Sequence, residues 1–370
     1  TPTLCWLIQS KPVLGGVMNS ASHNPFYDNG LKPFRHTGEK LSEEDERQLE
    51  TIIEQEQFDP VARESIGQAT HDSNLVDRYV RKLTQRDVQF DGHVVIDCAN
   101  GGTSFLAPEV LSNACGELTV INREPNGTNI NDECGSLHPE VVEQEVINRN
   151  ADVGFAFDGD GDRVLAVNSE GDLVNGDILM YGLSRNLQKS PPQSGLVMTV
   201  MSNIGLRRAL DRENIPFEVV GVGDRNVYRK LKELGWRLGG EQSGHIIDCD
   251  WIPTGDGLNT VLRVLDILAK TQSTLRDWQE DVTIFPQVLH NASVTQKPPL
   301  EELDQTQKLI GRVENELGKQ GRVLVRYSGT ESVARVMIEG QDKQTIEQYA
   351  KQIGERIVED IESRSEVAQS

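Results

Sequence analysis

Val153-Gly154-Phe155-Ala156-Phe157 runs into Asp158-Gly159-Asp160-Gly161-Asp162-Arg163 and out through Val164-Leu165-Ala166-Val167. Two apolar runs of strand length enclose a loop with three carboxylates in five residues. Like charges this close repel unless a cation lies between them. The interposed glycines let the backbone fold tightly enough to aim all three at one point. The loop reads as a divalent-metal site, with a solvated acidic turn as the alternative. An EF-hand is rejected: it needs Gly at its sixth position and Glu at its twelfth, and here those are Arg163 and Ser169. An Arg directly after the carboxylates suits a phosphorylated ligand held beside the metal.

Working outward, Val94-Val95-Ile96 is a short strand that ends in Asp97-Cys98-Ala99-Asn100-Gly101-Gly102. A helix begins at 108–111, a strand follows at 118–121, and 139–148 reads as a helix with Val142 and Val146 on one side. Strands alternating with helices predict an α/β unit with a largely parallel sheet. Upstream, residues 5–18 mix apolar residues with a Gly15-Gly16 break. Ser42 is placed to cap an acidic helix, and Ser73 to cap a helix carrying Leu75, Val76, Tyr79, Val80 and Leu83.

Downstream, a Ser/Pro-rich linker at 190–194 leads to a second strand–helix unit. It has strands at 195–200 and 217–220, helices to about 210, at 226–234 and at 259–268, and a turn at Gly239-Gly240. The last module, from about Ala292, reads strand, helix (303–317), strand, strand, helix. Its final helix carries Ile346, Tyr349, Ile353, Ile357 and Ile361 at helical spacing. The expected domains are 1–88, 89–190, 191–290 and 291–370, the last an α+β module.

Composition limits the function. With 37 Lys and Arg against 58 Asp and Glu, the net charge of −21 repels nucleic-acid backbones. No stretch approaches the ~18 apolar residues of a membrane span, and no signal peptide opens the chain. The five cysteines contain no Cys-x-x-Cys pair, so neither a disulfide framework nor a structural zinc site is expected; reduced thiols in the cytoplasm fit.

Three further loops carry polar groups. Ser20-Ala21-Ser22-His23-Asn24-Pro25, followed by Lys32, is either an ordinary turn or a nucleophile or phosphate carrier. Gly239-Gly240-Glu241-Gln242-Ser243-Gly244-His245 is either a decorated turn or a set of groups for sugar hydroxyls, with His245 equally readable as a satisfied polar residue. Arg326-Tyr327-Ser328-Gly329-Thr330-Glu331-Ser332 can form an anion nest from an Arg, two hydroxyls and turn N–H groups. No Walker loop occurs, and Gly221-Val222-Gly223 lacks the third Gly of a dinucleotide fingerprint.

In this order the four loops resemble those of the α-D-phosphohexomutase family: phosphoserine, metal, sugar and phosphate loops, one per domain, over nearly the whole chain. Within it they look most like the glucosamine-type members. The carrying residues are Ser20 to Pro25, Gly240 to His245, Asn129-Ile130-Asn131, Cys134-Gly135-Ser136, His138-Pro139-Glu140, Asp97 to Gly101 and Met201-Ser202-Asn203. The resemblance implies successive α/β domains with mixed sheets plus a C-terminal α+β domain around a central cleft. It implies a cytoplasmic isomerase, monomer or homodimer, that binds a phosphosugar and neither nucleic acid nor membrane.

The implied chemistry interconverts glucosamine 6-phosphate and glucosamine 1-phosphate through phospho-Ser22 and a 1,6-bisphosphate. Glucose or glucosamine 1,6-bisphosphate is the intermediate or activator. One Mg²⁺ is held by Asp158, Asp160, Asp162 and a phosphoserine oxygen. His23 and Lys32 stabilise charge, with Lys32 also placed for proton transfer. Glu241, Ser243 and His245 grip sugar hydroxyls. Arg326, Ser328, Gly329 and Thr330 clamp the non-reacting phosphate, and Arg163 and Arg225 add positive charge. Alternatives are a mannose- or glucose-type mutase, a metal-dependent phosphatase and a non-catalytic phosphosugar binder.

Two departures from the family pattern stand out. The phosphate loop has Ser332 where a Pro is usual, which loosens the turn slightly. The chain also opens Thr1-Pro2-Thr3, without the preceding half-domain and its Arg-bearing loop. On this reading the first domain is incomplete, with an unpaired sheet edge, and the polypeptide is poorly active and aggregation-prone.

Overall fold

The computed structural model describes residues 1–187, 194–328 and 331–367. The chain divides into two compact units. One is Thr1–Ser202 with Leu210–Asp281; the other is Asn203–Ala209 with the chain from Val282 onward.

The first unit opens with helix α1 (Pro2–Ser10) and a two-stranded antiparallel ribbon, β1 (Gly15–Asn19) and β2 (Leu31–Arg35), in which Met18 lies opposite Lys32. Residues 20–30 form the loop between them. Helix α2 (Glu43–Glu54) starts at Ser42 as expected. Ser42 Oγ accepts the Asp45 N–H (3.2 Å), and the Asp45 carboxylate accepts the Ser42 N–H (3.3 Å), a reciprocal capping box. Helix α3 (Asn74–Thr84) buries Tyr79, Val80 and Leu83. Its expected cap, Ser73, makes no side-chain cap bond, its backbone being helical (φ −64°, ψ −24°) where a cap is extended.

Next come β3 (Phe90–Asp97), α4 (Thr103–Leu111), β4 (Cys115–Ile121), α5 (Pro139–Arg149), β5 (Val153–Phe157), β6 (Val164–Val167) and β7 (Leu173–Val174). They build one sheet in the order β4-β3-β5-β6-β7. The first three strands run parallel, and the β5–β6 and β6–β7 pairs are antiparallel. The sheet is therefore mixed, and the Asp158–Arg163 loop is the hairpin connection between β5 and β6. β5 and β6 are buried throughout, which is why both read as unbroken apolar runs. Val142 and Val146 of α5 pack on Val95, Ala156 and Val167. Helix α4 begins five residues earlier than the sequence suggests and carries Pro108 inside it.

Helix α6 (Gly176–Leu187) has no counterpart in the sequence reading. It buries Ile178, Leu179, Met180, Tyr181 and Leu183, so it lacks the polar face that marks a surface helix. The expected linker at 190–194 lies outside the described residues except for Ser194.

A second sheet, in the order β11-β10-β8-β9, is made by β8 (Leu196–Thr199), β9 (Phe217–Val220), β10 (Leu238–Gly240) and β11 (Ile246–Asp248). Helices α7 (Ile204–Arg212), α8 (Asp224–Leu234), α9 (Gly257–Thr271) and α10 (Leu275–Asp281) complete this part of the chain. Gly239 and Gly240, expected as a turn, are strand residues paired with Val197 and Met198. A Cβ on Gly239 would sit 2.7 Å from the Val197 carbonyl oxygen, so the pairing itself demands glycine.

In the second unit, β12 (Gln287–Ser293), β13 (Arg322–Tyr327) and β14 (Val333–Glu339) form an antiparallel sheet, order β12-β14-β13. Helices α11 (Asp304–Leu317) and α12 (Lys343–Val367) complete it. Ala334, Val336 and Ile338 alternate along β14. They share a core with Ile346, Ile353, Ile357 and Ile361 of the expected stripe and with Ala350, while Tyr349 packs against it partly buried. Each such Ile contributes about 1.5–3 kcal/mol on full burial. Glu339, at the end of β14, is fully buried. It accepts from Arg322 Nε (2.6 Å) and Nη2 (3.1 Å), from Gln287 Nε2 (3.0 Å) and from the Ile204 N–H (3.1 Å).

Candidate active site

β3 and β5 are parallel neighbours, so their carboxyl ends bring 97–102 beside 158–163. The Gly102 N–H donates to the Gly159 carbonyl at 2.8 Å, and Gly101 leaves no room for a side chain against Gly159. The 20–30 loop closes on the same place. Ser22 Oγ donates to Asp158 Oδ2 at 2.6 Å, across 136 residues of sequence. Ser22 adopts a left-handed backbone, φ 57°, which is disfavoured for a residue with a Cβ.

Asp158, Asp160 and Asp162 are buried and converge, each offering an oxygen within 4.8 Å of the others. Asp160 Oδ1 is buried without a hydrogen-bond partner. Burying unpaired carboxylate oxygens is costly, and a cation would remove that cost. An all-oxygen donor set suits a hard divalent ion. The residues present therefore fit such a metal.

Lys32, carried on β2, places Nζ 2.6 Å from Asp160 Oδ2 and 3.7 Å from Asp162 Oδ2. Burial works against its ammonium, but Asp162 and Asp160 outweigh that and raise its pKa. Burial and the charges of Asp162 and Asp160 push Asp158 well above the carboxylate range. Asp162 moves down despite burial, because His245 and Lys32 favour its charged form.

His23 is half-buried, and burial and Arg163 lower its pKa. Arg163 Nη1 lies 3.1 Å from His23 Nδ1, which makes Nδ1 the acceptor and leaves the proton on Nε2. The Arg163 backbone N–H donates to Asp158 Oδ1 at 3.1 Å.

The 241–245 loop is sewn to the same centre. The Val164 N–H donates to the Gly244 carbonyl (3.1 Å), and the Gly176 N–H to the Gln242 carbonyl (3.0 Å). Ser243 is exposed, and Glu241 accepts the Gly223 N–H at 3.1 Å. Against the expectation of a sugar contact, His245 is turned inward and only 3% exposed. Its Nδ1 lies 3.4 Å from Asp162 Oδ1, and its Nε2 accepts the Gly255 N–H at 3.0 Å. The physical reason is charge: Asp162 and Asp224 overcome burial and raise the pKa of the ring. Arg225 pairs with Glu46, and Lys40 with Asp224.

In the second unit, Arg326 lies opposite Arg335 across the β13–β14 pair, and burial together with that neighbour lowers its pKa. Ser328 is buried; its Oγ accepts the Glu331 N–H at 3.2 Å, and its carbonyl accepts from Lys297 at 2.7 Å. Gly329 and Thr330 lie outside the described residues.

The structure thus brings Ser22, His23, Lys32, the three aspartates, Arg163 and His245 together within the first unit. It adds groups that the sequence reading assigned no role. Asn131 reaches the Ser22 loop. Gly255 and Gly257 brace the metal loop, the Gly257 N–H donating to the Gly161 carbonyl at 3.0 Å. Asp256 accepts Tyr79 Oη (2.7 Å) and Trp251 Nε1 (2.6 Å), tying α3 to the start of α9. The Gly-Asp-Gly run at 255–257 was a usable signal, as was the Asn129-Ile130-Asn131 motif.

Comparison with known proteins places these loops in context. Four profiles described as phosphoglucomutase/phosphomannomutase domains match the chain: domain I at 1–60, domain II at 77–171, domain III at 175–285 and the C-terminal domain at 289–356. A phosphoglucosamine mutase of Halalkalibacterium halodurans is 40% identical over 360 residues, covering 96% of this chain and 80% of the relative. A phosphoglucosamine mutase of Solibacter usitatus is 42% identical over 361 residues, covering 96% and 81%. Among solved structures, Aspergillus fumigatus N-acetylphosphoglucosamine mutase in complex with GlcNAc-6P and magnesium aligns with a TM-score of 0.73. It is 19% identical, covering 97% of this chain and 92% of that one. A phosphoglucomutase/phosphomannomutase family protein of Burkholderia thailandensis aligns with a TM-score of 0.76. It is 22% identical, covering 94% and 76%. At these identities the two structures speak to the fold. No helix among the described residues is long and apolar enough to cross a membrane.

Proposed function

The chain belongs to the phosphoglucomutase/phosphomannomutase family and is an isomerase of the phosphohexomutase kind, and from this we propose that it interconverts glucosamine 6-phosphate and glucosamine 1-phosphate. The amino-sugar preference is supported by relatives of 40% and 42% identity that are phosphoglucosamine mutases. The observation that carries the chemistry is the Ser22 hydroxyl 2.6 Å from Asp158, at the head of a buried aspartate triad.

In the proposed reaction the 1-hydroxyl of glucosamine 6-phosphate attacks phospho-Ser22. An O–P bond to the sugar forms, the bond to Ser22 Oγ breaks, and the hydroxyl proton ends on Ser22 Oγ. The 1,6-bisphosphate reorients, Ser22 Oγ attacks its 6-phosphoryl group, the P–O6 bond breaks, the Ser22 proton ends on O6, and glucosamine 1-phosphate leaves. Mg²⁺, held by Asp158, Asp160, Asp162 and a phosphoserine oxygen, would supply positive charge to the transferring group. Lys32 acts as a charge stabiliser: its ion pairs with Asp160 and Asp162 keep it protonated, which disfavours a base role. His23 offers Nε2–H to a phosphoryl oxygen, and Arg163 holds that ring in place. Glu241 and Ser243 take the sugar hydroxyls, while His245 stands behind Asp162. Arg326, Ser328, Gly329 and Thr330 hold the distal phosphate, which serves both orientations because it does not read the face of the sugar.

Phosphopeptide mapping of the purified protein tests this. Phosphate is expected on Ser22, and Ser22→Ala is expected to remove both the phosphate and at least ~10³ of kcat. Turnover that survives the substitution would refute the scheme. Comparing kcat/KM on glucosamine, glucose and mannose 6-phosphates checks the amino-sugar preference.

A further inference from the structure

Residues with left-handed backbones crowd the loops behind Ser22. Ala99 (φ 51°), Asn100 (47°), Asn122 (48°), Asn131 (58°) and Glu133 (49°) join Ser22 (57°) in that region. Such conformations persist only where the surroundings over-determine them, and they gather at functional sites. Ala99, Asn100, Asn131 and Glu133 belong to the motifs around Asp97–Gly101 and Asn129–Ser136, which the reaction described above leaves without a task.

We propose that Asn131 is a positioning residue for Ser22: its side-chain amide holds the serine loop in the backbone conformation that aims Ser22 Oγ at Asp158. Asn131 Nδ2 donates both of its hydrogens into that loop, to the Ser22 carbonyl at 3.0 Å and to the Asn24 carbonyl at 2.9 Å. The residue is itself anchored, because its backbone N–H donates to the Ala99 carbonyl at 2.9 Å. Ala99 is fixed by Asp97, whose Oδ1 accepts the Ala99 N–H at 2.8 Å. Asp97 Oδ2 accepts Asn122 Nδ2 (2.9 Å) and the Gly135 N–H (3.0 Å). Asp97 is fully buried at the end of β3. An unbroken path of hydrogen bonds therefore runs from the central sheet to the carbonyl of Ser22.

The residue type follows from the task. Two carbonyl oxygens need two N–H donors on one short side chain, and the backbone there is left-handed. Asn meets both demands: it carries an NH₂ group and tolerates a positive φ. Asp has the tolerance and no donor. Gln has the donors on a longer arm. Without these two bonds, Ser22 is free to relax to a negative φ and swing its hydroxyl off Asp158. The role rests on Ser22 being the phosphoryl carrier. A carrier that gives and then recovers a phosphoryl group must return to one geometry twice per turnover.

The test uses the full chain with two substitutions. Asn131→Asp keeps the shape and sets a carboxylate against two carbonyl oxygens. Asn131→Gly keeps the left-handed backbone and deletes the amide, so a folding failure of the first variant leaves the second to decide. Two readouts are taken beside thermal unfolding: kcat and KM for glucosamine 6-phosphate, and the rate at which glucose 1,6-bisphosphate phosphorylates Ser22, followed by intact mass. Both variants are expected to lose roughly 10- to 100-fold in kcat and in the phosphorylation rate, with KM within about two-fold of wild type. A merely structural role would lower the melting temperature and leave the phosphorylation rate of the folded fraction unchanged. Folded variants with wild-type rates overturn the proposal while phospho-Ser22 stands. A wild-type protein that never acquires phosphate on Ser22 and a Ser22→Ala variant that still turns over would overturn both readings.

Discussion

Replacing Gly159 by Ala adds one methyl group where the metal loop meets the serine loop. That Cβ would stand 2.5 Å from the Ser22 carbonyl oxygen, 2.7 Å from Asn131 Nδ2 and 2.8 Å from Ile130 Cδ1. The Ile130 terminus can rotate aside. Ser22 and Asn131 cannot separate independently, because they are hydrogen-bonded to each other. The metal loop cannot retreat either, since Gly159 is bonded to Gly102 and packed on Gly101. Ordinary contact begins at 3.4 Å, so the serine loop must withdraw by about 0.9 Å. That breaks the 2.6 Å hydrogen bond from Ser22 to Asp158. A misplacement near 1 Å costs up to ~10²-fold in rate, equivalent to about 2.7 kcal/mol of activation free energy. Overpacking adds about 1–3 kcal/mol of destabilisation.

The assay is steady-state turnover of glucosamine 6-phosphate with KM resolved from kcat, beside thermal unfolding. Gly102→Ala is the control: its Cβ meets only the Gly159 oxygen, at an ordinary 3.7 Å, and its φ is −62°. We expect a loss confined to kcat in Gly159→Ala and near-wild-type kinetics in Gly102→Ala. If Gly159→Ala keeps wild-type kcat and melting temperature, close packing against Gly159 does not set the position of Ser22.

Two further outcomes follow from burial. Glu339→Ala removes a fully buried carboxylate that accepts from Arg322, Gln287 and the Ile204 N–H. The second unit should lose about 3–5 kcal/mol in urea unfolding, and a loss below about 1 kcal/mol would contradict the arrangement. The thiols offer a pH test. Burial pushes Cys5, Cys98, Cys134 and Cys249 up to about 12, and Cys115 to about 11. At pH 8 the native thiolate population is then ~10²- to 10³-fold below that of an exposed cysteine. Labelling with Ellman's reagent should be correspondingly slow until the protein is denatured. Because the folded state holds these protons beyond the unfolded pKa, stability should fall as pH rises past about 9. Fast native labelling at pH 8 would show the thiols to be more open than the fold implies.

Much of this protein was legible before folding. The strand–helix succession around 90–167 follows from apolar periodicity, and the stripe on the last helix from its isoleucine spacing. The aspartate triad declared itself through crowding of like charge, which is a local property of six residues. Where the reading missed, packing had overridden the local signal. Helix α6 is apolar nearly all round, so no face was visible in its sequence. Gly239-Gly240 looked like a turn because glycine usually marks one; here glycine lets two strands approach.

The sequence by itself determined the fold class and which loops crowd polar and charged groups, because those depend on neighbours in the chain. Only the tertiary structure decided how the loops meet. Ser22 and Asp158 are 136 residues apart, and Asn131 is 109 from Ser22. What joins them is the order of strands in a mixed sheet, a path of hydrogen bonds from Asp97, and a glycine that leaves no room for a methyl group. His245 shows the same limit: its loop suggested a sugar contact, and its position between Asp162 and Asp224 turned it inward. A side chain's task is set by the charges packed around it, and those come from elements that only the fold brings together.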